Sequence, residues 1–285
     1  MAGLLGSTAA FTVFMVEAPK TLDYGLLRQN GFTTTIDEDG TRSGWVGVGN
    51  AVDVDFAVGI DHGQFAAFSL RVDTRKVPSA ALKLQLDEAL QQEEQVIGKK
   101  VPRARKKELK EEITLMLQSR AVWTPTLTDC LWDLGAGLLL IFASGKKAEA
   151  TQERFRETFG IAPEALSSGP MQDFFSRLFN GDVPCGDWSL AYADAASLSQ
   201  SDAAATVVNT SATLETALGE GLDIQKMRLT ATQGSVELEF ALDASLTVSG
   251  LKLPKAQKGT DDAATVLMKA DTCSMVARLV KALAV

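Results

Sequence analysis

The stretch "VPSAALKLQLDEALQQEEQVIGKKVPRARKKELKEEITLMLQSR", residues 77–120, decides the architecture of the chain. Apolar residues recur at helical spacing in its first half, and Pro78 suits a helix start. Gly98 and Pro102 separate this helix from a second one, whose apolar stripe begins at Leu109. The pattern predicts a helical hairpin, and at 1.5 Å per residue each arm would be roughly 25 to 30 Å long.

A strip of basic side chains marks the middle of this stretch. Between Arg75 and Arg120 there are 11 basic and 7 acidic residues, in a chain whose formal net charge is -8. At 100° per residue, most basic residues of the second helix share one face beside its apolar stripe. Because a charged face is also typical of a merely solvated helix, a polyanion-binding surface and a solvated arm both stay open. The strip comprises Lys99, Lys100, Arg103, Arg105, Lys106, Lys107 and Lys110.

On either side of the hairpin, the sequence predicts an α+β protein. Residues 1–75 alternate turns and one short helix with β-like runs, one of them "VDFAVGI" at 54–60. A strand pair and an amphipathic helix follow the hairpin, and a second lobe adds helices and three strands. We assign no element to the Ala/Ser-rich residues 191–213. The prediction is two α+β lobes with antiparallel sheets and an inserted helical-hairpin arm, arranged as a central domain (1–76 and 121–166), a tip (77–120) and a basal domain (167–285).

Composition limits the classes of protein to consider. With 285 residues, 46% of them hydrophobic, the chain can bury a core. Its longest apolar runs are far shorter than the roughly 20 residues that cross a bilayer, and the first residues resemble a strand more than a signal peptide. We therefore expect a cytoplasmic protein without a membrane span. Cys130, Cys185 and Cys273 are too few and too widely spaced for a disulfide framework or a metal site, so we expect reduced, buried thiols.

The sequence offers few residues for catalysis. His62 is the only histidine, so a histidine dyad cannot form within one chain. Asp53 with Asp55, and Glu237 with Glu239, would each share one side of a strand, and paired carboxylates can hold Mg²⁺ in nucleases. The same alternation is typical of any half-exposed strand. We predict no catalytic residue, no metal site and no cofactor, and we keep a Mg²⁺-dependent DNA exonuclease as the alternative.

An ordered set of segments resembles the RdgC family of bacterial recombination-associated proteins. Between residues 77 and 160, "VPSAALKLQLDEALQQEEQ", "KKELKEEI", "SRA", "LWDL" and "ASGKKAEA" follow in the family's order and at close to its spacing. "GWV" at 44–46 and "IQKMRLTA" at 224–231 resemble further landmarks. Val122 departs from the pattern, because the family commonly has an aromatic residue directly after this Arg-Ala pair.

The resemblance implies a horseshoe-shaped subunit that closes with a second copy into a ring-shaped homodimer around double-stranded DNA. It also implies sequence-independent DNA binding, restraint of the RecA recombinase and a nucleoid-associated location. The implied DNA contacts are the seven basic residues of the strip and Lys226, while Trp123 is a candidate dimer contact. Residues 181–285 carry 8 basic and 13 acidic residues, which predicts a weaker DNA contact there. A protein-interaction module that docks an acidic partner on the hairpin stays open as a third function.

Overall fold

A computed structural model describes residues 3–17, 23–37, 40–57, 59–167, 171–181, 183–199, 206–208, 223–256 and 260–284. They form a mixed α+β fold with a large antiparallel sheet, as predicted at this coarse level. The chain divides into two compact units. Unit 1 comprises Met1–Gly31, Trp45–Leu70 and Leu127–Val285, and unit 2 comprises Phe32–Gly44 and Arg71–Thr126. The three-part domain division stays a prediction.

The elements follow one another in an order close to the predicted one. The helices are α1 (Gly25–Gln29), α2 (Ser79–Ile97), α3 (Arg103–Arg120), α4 (Lys146–Phe159), α5 (Met171–Asn180) and α6 (Asp262–Leu283). The strands are β1 (Thr8–Met15), β2 (Arg42–Val46), β3 (Asp61–His62), β4 (Phe65–Arg75), β5 (Trp123–Asp133), β6 (Leu138–Ile141), β7 (Glu164–Ala165), β8 (Val183–Cys185), β9 (Trp188–Ser199), β10 (Thr206–Val208), β11 (Asp223–Gln233), β12 (Val236–Asp243) and β13 (Val248–Lys252). The main sheet has the order β10-β9-β11-β12-β13-β1-β6-β5-β4-β2.

Strand β1 pairs antiparallel with three strands, β13, β6 and β7. Its first half pairs with β13, where Thr8 lies opposite Lys252, and its second half pairs with β6, where Met15 lies opposite Leu138. The register shifts between Ala9 and Phe11, and such a bulge lets a strand bend and change its pairing. The sequence predicts separate sheets in two lobes, whereas the structure joins their strands through β1.

The predicted strand at residues 54–60 is wrong. Apart from residue 58, which lies outside the described part, these residues form turns and irregular backbone. The Asp53 carboxylate accepts two hydrogen bonds from the backbone N–H of Ala57, at 2.9 and 2.8 Å. Because an aspartate that bonds to the nearby backbone offers an alternative to ladder pairing, the local turn replaces the strand.

The Ala/Ser-rich stretch contains strands that the sequence did not indicate. Strand β9 runs to Ser199 and pairs with β11, and β10 follows at Thr206–Val208. Alanine and serine have low intrinsic strand preference, but burial of Leu190 and Leu198 against the core favours pairing there. Residues 200–205 and 209–213 lie outside the described residues, as do residues 168–170 at the predicted start of the basal domain.

Two tryptophans anchor the core of unit 1. Trp45 is fully buried, its indole N–H donates to Thr158 Oγ1 at 2.8 Å, and its ring meets Phe68 edge-on at 5.1 Å. Trp132 is equally buried and packs edge-on against Phe155 at 4.9 Å. Such edge-to-face pairs add to the stabilisation from buried area, so these residues are structural.

The three cysteines are thiols. Cys130 and Cys273 are buried, and Cys185 is half-buried. Burial raises the pKa of the Cys130 and Cys185 thiols above the usual value, which disfavours the nucleophilic thiolate. Cys130 and Cys273 are buried as predicted and Cys185 is less buried than predicted, while the reduced state stays a prediction. Among the described residues, no helix combines the length and the apolar composition that crossing a membrane requires.

Buried His62 should make the fold sensitive to mild acid. Burial lowers the pKa of His62 below its usual 6.5, against smaller opposing effects of the Gly59 backbone and the Asp61 charge. The folded state therefore binds fewer protons than the unfolded state, so this stabilisation is present above pH 6.5 and is lost as pH falls through the folded pKa. We expect the melting temperature to fall less between pH 7 and 5.5 in His62→Gln than in the wild type. An equal fall in melting temperature between pH 7 and 5.5 in both proteins would contradict this role of His62.

Candidate nucleic-acid interface

The helical hairpin of unit 2 forms where the sequence predicts it. Gly98 ends α2 in the left-handed conformation, at φ 71°, and its N–H donates to the Glu94 carbonyl at 2.9 Å. Glycine adopts this conformation without strain, which makes it a common helix terminator. Helix α3 starts directly after Pro102, and only Leu109 and Ile113 of its stripe are buried, at 8% and 9% exposure. The apolar stripe of α3 is therefore buried over a short stretch, and no residue of α2 is fully buried.

Arg105 connects the two helices through glutamates. Its Nε donates to Glu93 on α2 at 2.9 Å, and one Nη donates to Glu108 and Glu112 on α3 at 3.1 and 3.2 Å. Hydrogen bonding to Glu93, then to Glu108, raises the pKa of Arg105, so its charge is permanent. With three carboxylates around it, this guanidinium is the least available of the predicted DNA contacts.

Removing Arg105 tests whether it holds the hairpin or contacts DNA. We expect Arg105→Ala to accelerate amide hydrogen exchange in α2 and α3, because the link to Glu93 is lost. Any salt dependence of predicted DNA binding should hardly change, since glutamates already neutralise this charge. A salt slope reduced by about one unit would instead identify Arg105 as a phosphate contact.

The other basic residues of the strip are exposed. Lys99 and Lys100 lie in the link between the helices, and Lys107 lies 3.8 Å from Glu111. That pair is solvent-exposed, at 80% and 64%, and such pairs contribute little. Within the part of the chain that the structure describes, five of these residues form no salt bridge. They are Lys99, Lys100, Arg103, Lys106 and Lys110.

The cations surround the start of α3, where they oppose the helix dipole. The first turn of α3 contains no acidic residue but does contain Arg103, Arg105 and Lys106. A helix N-terminus carries partial positive charge, so stability alone would favour acids there by roughly 0.3 to 1 kcal/mol each. The backbone and side-chain charges add into one positive region, which is suited to attracting anions.

Lys226 lies in unit 1, on strand β11, and is half-buried. On this strand Arg228 contacts Glu239 at 3.5 Å, and Lys252 of β13 contacts the same carboxylate at 3.2 Å. Lys226 itself has Asp243 as its cross-strand neighbour on β12. The surroundings of Lys226 are therefore close to electrically neutral, in contrast to the start of α3.

Trp123, the predicted dimer contact, is half-buried at the start of β5 and is covered by two arginines of its own chain. The guanidinium carbon of Arg42 lies 4.0 Å from the centre of the Trp123 ring, and that of Arg75 lies 4.4 Å away. The sequence prediction omits both arginines from the site. The only local signal is the alternation of Arg71, Asp73 and Arg75, which places these charges on one face of β4.

The acidic residues considered for a metal do not form a suitable group. Asp53 is 8% exposed and bonds to the Ala57 backbone, whereas Asp55 is exposed and lies on no strand. Glu237 and Glu239 do lie on β12, but Glu239 holds two basic partners. Within the described ranges, no three His, Cys, Asp or Glu side chains come together in a way that could hold a metal ion.

The fold and the site define an α+β protein whose large antiparallel sheet is accompanied by a basic helical hairpin. Residues 11–284 match the family described as "Putative exonuclease, RdgC". The chain therefore belongs to the RdgC family. It is also 30% identical, over 123 residues, to the recombination-associated protein RdgC of Laribacter hongkongensis (strain HLHK9). That match covers 42% of this chain and 41% of the relative's length.

Proposed function

We propose that the chain binds double-stranded DNA without sequence preference, as a ring-shaped homodimer of horseshoe-shaped subunits, and restrains RecA-dependent recombination. The observation that carries the DNA-binding part is a group of exposed cations in the link between α2 and α3 and in the first half of α3, which have no carboxylate partner among the described residues: Lys99, Lys100, Arg103, Lys106 and Lys110. Membership of the RdgC family, and the name of the Laribacter relative, support a role in recombination. Nucleoid association would follow from DNA binding.

Flexible ammonium groups and one arginine at a helix start suit contacts with phosphate groups. Such contacts position a protein on DNA but read no base sequence. Each neutralised phosphate releases counterions and adds about -0.9 to the slope of log affinity against log salt concentration. Binding should therefore be nearly independent of sequence and should weaken steeply with salt. Lys226, in its neutral surroundings, should contribute less than the hairpin.

Light scattering with and without duplex DNA, combined with a binding titration at several salt concentrations, tests this proposal. We expect a dimer that retains DNA and a steep negative slope that is equal for unrelated sequences. A monomer that ignores DNA would instead favour a protein-interaction module whose hairpin docks an acidic partner. A dimer whose affinity for DNA does not change with salt concentration would contradict the proposed phosphate contacts.

The family description favours a second candidate, a DNA exonuclease. Against it stand Asp53, which is buried in its own turn, and Glu239, which is engaged by Arg228 and Lys252. We propose that the chain acts without catalysis. Incubating end-labelled DNA with the protein and Mg²⁺ or Mn²⁺ separates the two functions, because shortened products would support the nuclease and unchanged lengths would support binding alone.

A further inference from the structure

Two arginines from neighbouring strands of unit 2 meet at one aromatic ring. Arg42 on β2 and Arg75 on β4 place their guanidinium carbons 4.0 and 4.4 Å from the centre of the Trp123 ring. The two cations therefore lie no further apart than the sum of these distances. All three side chains are half-buried, so the cluster is partly fixed by packing and partly open to the surface.

Neither arginine has a carboxylate partner among the described residues. The contrast is Arg71 on the same strand, which forms a two-pronged ion pair with Asp73 at 2.7 Å for both contacts. Asp73 is 2% exposed, and both of its oxygens are occupied by Arg71. The Nε–H groups of Arg42 and Arg75 are buried and have no acceptor in the described part of the chain.

This arrangement carries a cost that the described residues offset only in part. Two like charges beside one ring repel each other, and buried donors without acceptors are destabilising. The cation–π contacts with the indole offset part of the cost and hold both guanidinium groups close to the ring. An anion with several oxygen acceptors would satisfy these donors, because the planar guanidinium fork matches the oxygens of a phosphate group in pairs.

We propose that Arg42 and Arg75, oriented by Trp123, form a phosphate-binding site, for a phosphodiester of a nucleic acid backbone or for a free polyphosphate. In its nucleic-acid form, this inference rests on the proposed function. The site differs in kind from the hairpin, because its charges are held in place by stacking before the ligand arrives. It adds a rigid contact to the flexible ones contributed by the lysines.

The first experiment compares the wild type with Arg42→Gln/Arg75→Gln in duplex DNA titrations at several salt concentrations. We expect the slope of log affinity against log salt to become less negative by roughly 1 unit per protomer, since the two arginines share one phosphate contact and that contact is lost. The loss should be equal for unrelated sequences. The matched control is Arg154→Gln/Arg156→Gln, which removes two arginines that are already paired with glutamates on α4. An unchanged slope in Arg42→Gln/Arg75→Gln would contradict the binding of a nucleic-acid phosphodiester at this site.

The second experiment does not depend on DNA. Tripolyphosphate is titrated into the full chain while tryptophan emission is recorded, with Trp123→Phe to identify the reporter. A saturable change that is lost in Arg42→Gln/Arg75→Gln and in Trp123→Phe supports the site. No saturable change in the wild type, together with an unchanged DNA slope, overturns the site altogether. If the wild type fails to bind DNA, the proposed function falls and the tripolyphosphate result alone decides the site.

A folding control keeps both experiments decisive. Circular dichroism and melting establish whether the glutamine variant is folded. If it is not, Arg42→Lys/Arg75→Lys retains both charges but loses the planar stacking and the paired donors. The site then predicts severalfold weaker tripolyphosphate binding in the lysine variant. Equal tripolyphosphate binding by the lysine variant and the wild type would show that charge alone matters. That result would contradict a phosphate-binding site formed by oriented guanidinium groups.

Discussion

Replacing the five hairpin cations that form no salt bridge within the described residues by alanine should remove most of the affinity for DNA. At about 0.9 units for each phosphate contact, the slope of log affinity against log salt should become less negative by roughly 4 to 5 units per protomer. The loss should be the same for all sequences, because these side chains read no bases. Titrations of labelled duplex at several salt concentrations measure both quantities. The residues replaced are Lys99, Lys100, Arg103, Lys106 and Lys110.

A control with the same change in charge separates local contact from net charge. Five exposed basic residues of unit 1 are replaced together by alanine, so both variants become more acidic by the same amount. If net charge governed binding, the control and the hairpin variant would lose equal affinity. The proposal requires the hairpin variant to lose far more, and equal losses would contradict it. The control residues are Arg28, Lys146, Arg156, Arg177 and Lys255.

Replacing Asp133 by alanine should destabilise unit 1 by about 3 kcal/mol, the largest stability effect expected from a polar side chain here. Asp133 is fully buried at the end of β5. One of its oxygens accepts from the Ala136 backbone at 2.9 Å, and the other accepts from Ser274 at 2.5 Å and Arg278 at 2.8 Å on α6. Without this carboxylate, the buried Ser274 hydroxyl loses its hydrogen-bond acceptor. The sheet also loses a link to α6. Thermal unfolding measures the effect.

Glu239→Ala is the matched control for Asp133→Ala. Glu239 also has two polar partners, Arg228 and Lys252, but its side chain is 36% exposed. Exposed ion pairs contribute at most about 1 kcal/mol, so the melting temperature should change little. The melting temperature of Asp133→Asn should lie between those of the two alanine variants. The asparagine can still accept a hydrogen bond from the Ala136 N–H, but it cannot balance the Arg278 charge. Similar melting temperatures for Asp133→Ala and Glu239→Ala would refute the importance assigned to burial.

The sequence predicts those features that depend on neighbours along the chain. The hairpin is of this kind, because helical periodicity, Gly98 and Pro102 are all local signals. The role of Arg105 is not, because its partner Glu93 lies on the other helix and the side-chain conformation decides the contact. Strand β9 escapes prediction because its weak strand formers depend on pairing with β11.

The candidate sites also differ in how far they can be predicted from neighbours along the chain. The basic strip is visible in the sequence as a run of charges, but which of its members are neutralised depends on the fold. The Arg42 and Arg75 cluster is invisible in the sequence, because Trp123 meets both arginines only through the neighbouring strands β5, β4 and β2. Likewise, the neutral surroundings of Lys226 require the strand register that places Arg228 and Lys252 around Glu239.

The pairing of β1 with both β13 and β6 has a consequence for how unit 1 unfolds. Neither β13 nor β6 can separate from the sheet without exposing the backbone groups of β1, so local opening on one side weakens the other. The halves of unit 1 on either side of this strand should therefore melt as a single cooperative transition. Amides along β1 should be among the last to exchange with solvent.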